Sequence, residues 1–258
     1  MTPAKSRQTL IADALREEIA SGDFPPGSQL PSEREISERF DVARNTVRLA
    51  LSALVSEGLI VSEHGRGYFV RSHEPFTYYA SRSENLTFPV ADGSSDSFVN
   101  DIKGAGRVPT TTFRLAIEPA SDVVAAALQV EPGTSAVLRS ILRYVDGTPW
   151  SIQNTWYPMD IAEGTRILDP RDIEEGTTRY LAGLGHDQIG YWDQWETRMP
   201  TPDETRRLQL GPGTPVLISH RTGYSAERPI RLTETIFAGD RNRIVYEIGD
   251  LSARGNEQ

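Results

Sequence analysis

The 258-residue chain has no cysteine, two lysines, four histidines and no long apolar run. The first absence excludes disulfides, thiolate metal sites and cysteine nucleophiles together. The histidines, His64, His73, His186 and His220, are widely separated and show no HxxxH or HExxH spacing, so no metal site is expected and no cofactor is implied. With lysine nearly absent, 25 arginines carry almost all the positive charge, a bias that genome composition alone can produce. No segment approaches the roughly 18 consecutive apolar residues that a membrane helix needs. The N-terminal stretch alternates charged and apolar residues at helical spacing and has no signal-peptide core, so the expected location is the cytoplasm, away from membranes. An excess of positive charge is also missing. The net charge is -9, and residues 1–75 hold 9 basic against 11 acidic side chains. Any surface for nucleic acid must therefore be a small, well-placed patch, because phosphate neutralisation needs local cations.

Local patterns divide the chain. Residues 7–21 place Leu10, Ile11, Ala14, Leu15 and Ile19 on one helical face, and Gly22 ends the helix. After the turn Phe24-Pro25-Pro26-Gly27, a second helix opens with a capping box, Ser32 as N-cap and Glu35 three residues later, with Glu33 favourable beside the positive helix end. Ile36 and Phe40 point inward. Asp41-Val42-Ala43 connects to a third helix, about residues 44–57, closed by Gly58. Here Val47, Ala50 and Leu54 share one arc while Arg44, Asn45 and Arg48 share another. Two short β-prone runs, 59–62 and 68–71, then flank Glu63-His64-Gly65-Arg66-Gly67 and read as a hairpin. These elements set a first domain at 1–72. A Ser- and Pro-rich connection follows over 73–95, and its aromatics suggest that it packs. A larger domain occupies 96–258.

That larger domain contains an internal repeat. Leu128–Leu138, LQVEPGTSAVL, recurs as LQLGPGTPVL at Leu208–Leu217, a period of about 80 residues. A helix-like segment precedes each copy, opening at Pro119–Asp122 and Pro200–Asp203. A hairpin pattern follows each, turning at Asp146-Gly147 and near Ser225–Glu227, with return strands restarting at Pro149-Trp150 and Pro229-Ile230. Two related halves making one antiparallel sheet with helices on a face give an α+β domain, and a crevice between such halves is a common ligand site.

Helix, capped helix, three-residue turn, helix and glycine-tipped hairpin is the order of a winged helix-turn-helix. Its third helix can enter the major groove, where arginine offers two parallel donors to guanine. Each arginine taken alone reads as a solvated surface charge; together they form a constellation. The run from Gln8 to Val70, with its LPSERE, R-x-TVR and GRGYFV elements, resembles the DNA-binding domain of the GntR family of bacterial transcription regulators. The resemblance, with the helix geometry, implies DNA contacts from Arg34, Arg44, Asn45, Thr46 and Arg48 and from the wing residues His64, Gly65, Arg66 and Gly67. Ala43 stands where that family usually has a capping serine, a loss of about 1 kcal/mol that Asp41 would offset only in part.

The remainder resembles the effector domain of the HutC-type GntR subfamily, the UTRA domain, which has a chorismate-lyase-like fold. The matches are Ser97-Phe98, Gly104–Arg107, the PGT segment, Arg143–Pro149 and Ala238–Arg241. The fold class implied is α+β, an N-terminal winged helix-turn-helix followed by a C-terminal antiparallel-sheet, chorismate-lyase-like domain. The resemblance implies an effector near Ser97, Phe98, Arg143, Thr178 and Tyr180, and Gln153 and Glu234 are candidate contacts with them. Three positions depart from the pattern. Ile141 replaces the first arginine of an Arg-x-Arg pair, Gln153 replaces a glutamate, and Arg231 occupies an acidic position. The resemblance implies a phosphorylated sugar or a small carboxylate as ligand, and loss of a charge-assisted pair to an anion weakens the case for the sugar phosphate. Trp150, Trp156, Tyr157, Tyr191, Trp192 and Trp195 could line a more apolar pocket or simply fill the core. The function expected is a homodimeric regulator, a repressor that binds a palindromic operator in double-stranded DNA and is released by a small molecule. The alternative is an enzyme of the chorismate-lyase-like fold acting on a small carboxylate. No paired nucleophile and base at motif spacing supports it, and no catalytic residue is assigned.

Overall fold

The computed structural model describes residues 5–63, 65–71, 75–81, 97–173 and 175–248. The chain forms two compact units, Met1–Pro75 with Met199–Pro215, and Phe76–Arg198 with Val216–Gln258. In the first unit, α1 (Arg7–Ser21) starts at Ser6, whose hydroxyl accepts from the Thr9 amide, and stops at Gly22 in the left-handed conformation. α2 (Glu33–Phe40) carries the expected capping box: Ser32 Oγ accepts from Glu35 N and Ser32 N donates to Glu35 Oε2 at 2.8 Å. α3 spans Arg44–Ser56, and β1 (Ile60–Glu63) pairs antiparallel with β2 (Gly67–Val70) to form the wing. Ile11, Leu15, Ile36, Val47, Ala50, Leu51, Leu54 and Ile60 are all at or below 1% exposure and make one core. Each valine, leucine or isoleucine so buried contributes about 1.5–3 kcal/mol, which is how three short helices hold together. Leu10, expected on the inner face of α1, is half exposed; Ala12 is buried instead, because the packed arc runs through Ile11, Ala12 and Leu15. Arg39 pairs with Glu18 of α1 and lies 4.9 Å over the Phe40 ring.

The second unit opens earlier than the expected boundary. Residues Phe76–Tyr79 form β3, paired in parallel with β10 (Asn242–Val245). Phe76 is buried edge-on against Phe98 and Trp150. The connection 73–95 is therefore a strand of the second unit over 76–79, because a backbone partner and an aromatic cluster await it; 82–96 lie outside the described residues. The remaining elements are α4 (Ser97–Gly104), β4 (Pro109–Pro119), α5 (Asp122–Leu128), β5 (Ser135–Val145), β6 (Thr148–Pro158), α6 (Met159–Ala162), a 3-10 turn (Arg166–Leu168), α7 (Thr177–Gly183), β7 (Gly190–Arg198), β8 (Val216–Tyr224) and β9 (Pro229–Ala238). Strands β4 to β9 form one antiparallel sheet in the order β4-β5-β6-β9-β8-β7.

The 80-residue repeat is realised in backbone detail. Ser121 caps α5 and Thr201 caps the helix Pro202–Leu208, α8. Gln129 and Gln209 end these helices with φ of 55° and 50°, and Gly133 and Gly213 follow with φ of 81° and 72°. The halves β4-α5-β5-β6 and β7-α8-β8-β9 join through β6 and β9, where Asn154 and Glu234, equivalent positions of the repeat, face each other in register. The two repeat helices belong to different units. α5 packs Val124, Ala125 and Leu128 on Ala136 and Leu232 of the sheet, whereas α8 lies within the first unit. A Cβ at Gly133 would meet nothing within 4 Å, but at Gly213 it would overlap the carbonyl oxygen of Ser56 at the end of α3.

Candidate functional sites

The first candidate site is the exposed face of α3 with its neighbours. Burial of Val47, Ala50, Leu51 and Leu54 turns Arg44, Asn45 and Arg48 outward, as the two-arc pattern requires. Ala43 is the N-cap of α3 and supplies no side-chain hydrogen bond. Asp41 does not replace it: Asp41 ends α2 in a left-handed conformation, and its carbonyl accepts from Arg7. The first turn of α3 thus keeps amides for an outside acceptor, at the end of the helix where its dipole favours anions.

The cations differ in how firmly they are held. Arg44 has no ion pair among the described residues. Arg34 is within 3.6 Å of Glu38, a loose and exposed i,i+4 pair. Arg48 donates Nε and Nη2 to the two oxygens of Glu33 at 3.2 and 2.9 Å. The Tyr68 hydroxyl, from the wing, also reaches Glu33 at 3.5 Å. The hydrogen bond from Arg48 holds the Glu33 carboxyl below the usual range, and the Arg44 charge adds to this. On the wing, Arg66 pairs with Glu63 and lies over Phe69, while Gln29 donates to the Arg66 carbonyl at 2.6 Å. Gly65 and Gly67 have φ of 73° and 113°, a backbone that side chains with a Cβ resist, so the tip needs glycine there. Thr46 is half-buried at the start of α3, and His64 lies outside the described residues.

The second candidate site is one face of the six-stranded sheet. Side chains alternate across a sheet, so residues in register share a face. Arg139, Thr155, Thr233, Arg221 and Asp193 form one row across five strands. On this same face, Arg143 Nη2 donates to Gln153 Oε1 at 3.0 Å, and its guanidinium lies 4.7 Å over the ring of Phe98, which α4 presents. Three of the expected effector contacts are thus brought together. Tyr180, on α7, packs with Val137 and Tyr157 on this face and accepts a hydrogen bond from Arg166 N at 2.8 Å. Val137 is six residues from Arg143, so this cluster lies roughly 20 Å further along β5. Thr178 is half-buried on the same helix, and Ser97 begins α4.

Three arginines of this face have structural work. Arg139 donates to the carbonyls of Ile167, Asp169 and Arg171 and pins the turn that precedes α7; burial pulls its pKa down. Arg221 is locked to Asp193 by two 2.6 Å hydrogen bonds. Arg231, at the usually acidic position, is buried and donates to Gln188 Oε1 at 2.9 Å.

Glu234 departs from the expectation. It belongs to the adjacent row, Arg114, Ser140, Asn154, Glu234, His220 and Gln194, which faces the other side of the sheet. There it accepts from Asn154 at 3.1 Å and meets His220 at 3.2 Å. The pleat puts it on the side away from Arg143 and Gln153. The repeat carried that signal, since Glu234 is equivalent to Asn154, the neighbour of Gln153. The aromatic pocket is not assembled either. Trp150 and Tyr157 are core residues of separate clusters, Trp156 bonds Glu118 beside α5, Trp192 is exposed, Trp195 stacks on Phe237 and Tyr191 lies under Arg221.

Among the described residues, no group of three or more His, Asp or Glu could hold a metal, and no helix is long and apolar enough to cross a membrane. Comparison with known proteins is consistent along the chain. Residues 7–70 match the family of bacterial regulatory proteins, gntR family, and residues 104–243 match the UTRA domain. An uncharacterized HTH-type transcriptional regulator of Streptomyces coelicolor is 31% identical over 229 residues, 86% of this chain and 84% of that protein. The histidine utilization repressor of Pseudomonas putida is 25% identical over 238 residues, covering 91% and 88%. The solved structure of a GntR-family transcriptional regulator superposes with a TM-score of 0.65 at 22% identity, over 95% of this chain and 98% of that one, a likeness of fold.

Proposed function

The chain belongs to the GntR family of bacterial transcription regulators, with a UTRA effector domain behind its winged helix, and on that premise we propose which residues perform each task. As a regulator of transcription controlled by a small molecule it is not an enzyme, and the lyase alternative falls with its family membership. Arg44, Asn45 and Arg48 read base edges from the major groove, with Thr46 and the open amides of α3 on phosphate. Arg34 steadies the backbone, and the wing, His64 to Gly67, enters the minor groove with Arg66 leading. The observation that carries this reading is the outward face of α3, polar and cationic, opposite a fully buried apolar one.

A 13-residue recognition helix meets only a few base pairs. The working form is accordingly a homodimer on a palindromic operator, acting as a repressor in the cytoplasm. The effector is a small polar molecule held on the sheet face by Arg143, Gln153 and Phe98, beside Ser97 at the start of α4; Thr178 and Tyr180, roughly 20 Å further along β5, lie beyond the reach of the same small molecule. Moving the operator-bound fraction from 99:1 to 1:99 requires the effector to prefer the released arrangement by about 5.5 kcal/mol. The test is genome-wide recovery of bound fragments followed by binding to the recovered operator. Arg44→Ala and Arg48→Ala are expected to lose sequence-specific binding with circular dichroism unchanged; unaltered operator affinity would overturn the assignment.

A further inference from the structure

We propose that Glu33 is a positioning residue for DNA reading: it fixes Arg48 as a dedicated base reader and withholds it from the phosphate backbone. The inference rests on the DNA-binding reading above and deepens it. A guanidinium has five N–H donors in one plane. The Glu33 carboxylate takes one edge, Nε and Nη2, and leaves the outer edge, Nη1 with the second proton of Nη2, facing outward. That edge matches the O6 and N7 acceptors of guanine. Glu33 itself is anchored, at the first position of a capped helix, with Tyr68 of the wing on the same carboxylate. Its side chain is 25% exposed while that of Arg48 is 62% exposed, so the acid is the fixed partner and the arginine the presented one.

Two consequences separate a paired arginine from a free one. The pair is electrically neutral, so Arg48 contributes little to counterion release, whereas each cation that neutralises a phosphate adds about 0.9 to the slope of log K against log salt. A carboxylate beside the groove also repels phosphate, and of the two partners available to Arg48 only the base edge remains favourable. Arg44 is the contrast: it stands one turn earlier on the same helix without an ion pair among the described residues and is available to phosphate or base.

The experiment measures the full-length protein on the recovered operator, on operators substituted at single base pairs, and on a scrambled duplex, between about 50 and 200 mM salt. Arg48→Ala is expected to relax discrimination at one base pair per half-site by about 5- to 150-fold. Glu33→Gln is expected to relax that same base pair and no other, to strengthen binding to the scrambled duplex, and to steepen the salt slope by about 0.9 per half-site. A Glu33→Gln protein whose affinity changes by one uniform factor on every duplex, or not at all, would overturn the proposal. If Glu33→Gln loses helix content, Arg48→Lys replaces it. Lysine keeps the charge but not the two-pronged contact, so the same base pair is expected to relax, and retained discrimination there overturns the proposal. The reading of α3 as the DNA-binding helix fails separately, if Arg44→Ala and Arg48→Ala both leave operator affinity unchanged.

Discussion

Replacing Asp193 by alanine is expected to destabilise the second unit by about 3–5 kcal/mol. Asp193 and Arg221 are register partners on β7 and β8, with side chains 11% and 8% exposed. Arg221 also donates to the Ala80 carbonyl at 3.2 Å and lies 4.1 Å over Tyr191. Asp193 in turn accepts from the Tyr246 hydroxyl, whose pKa is raised by burial and then by this bond, and Trp195 Nε1 donates to that hydroxyl at 2.8 Å. Alanine removes the carboxylate that the buried Arg221 guanidinium meets on β7, and breaking a buried pair in this way costs about 3–5 kcal/mol. For a unit of this size each kcal/mol lowers Tm by about 2–4 °C, so the expected fall is roughly 6–20 °C. All four tryptophans, Trp150, Trp156, Trp192 and Trp195, lie in the second unit, so tryptophan fluorescence follows its unfolding alone. Pairing Asp193→Ala with Arg221→Met is expected to recover much of the loss, because an apolar replacement of both partners removes the stranded charge. A single mutant that loses less than about 1 kcal/mol, or a double mutant no more stable than the single, would refute the reasoning.

Three further outcomes are expected. The Glu234 bond raises the pKa of His220 above its ordinary 6.5, with Glu196 raising it and Arg198 lowering it further. That stabilisation is fully present below pH 6.5 and fades as pH climbs through the folded-state value, so urea midpoints of the wild type should fall across this window and those of His220→Gln should not. Ser32→Ala removes the capping box of α2 and should weaken the first unit by about 1 kcal/mol, read by far-ultraviolet circular dichroism. Gly133→Ala and Gly213→Ala both force alanine into left-handed φ, but only at Gly213 does the new methyl meet the Ser56 carbonyl, so the second variant should be clearly the less stable in thermal unfolding.

The first unit was legible because its signals are local. A capping serine, a glutamate three residues on, two arcs at helical spacing and a glycine-tipped hairpin each act within a few residues, and the structure realises them nearly where the pattern puts them. The repeat was legible for the same reason twice over. What could not be read was settled by distant partners. β3 is a strand because β10, more than 160 residues away, offers it an edge. Glu33 reads as a dipole-favoured first-turn acid until α3 brings Arg48 against it, and Arg39 reads as idle until Glu18 of α1 arrives. The side of the sheet on which Glu234 falls depends on the register of β6 with β9, which composition does not encode.

That register makes the left and right of the sheet different. Asn154 and Glu234 occupy the same place in the two halves and stand side by side where the halves meet, joined by a hydrogen bond. Two identical copies would bring either two amides or two carboxylates together on that axis, and like charges directly opposite repel. The axis therefore accepts an ionised side chain from one half only. A single amide-for-acid difference there is enough to make the halves inequivalent: across from the acid stands His220, a base, and across from the amide stands Ser140, which is neutral.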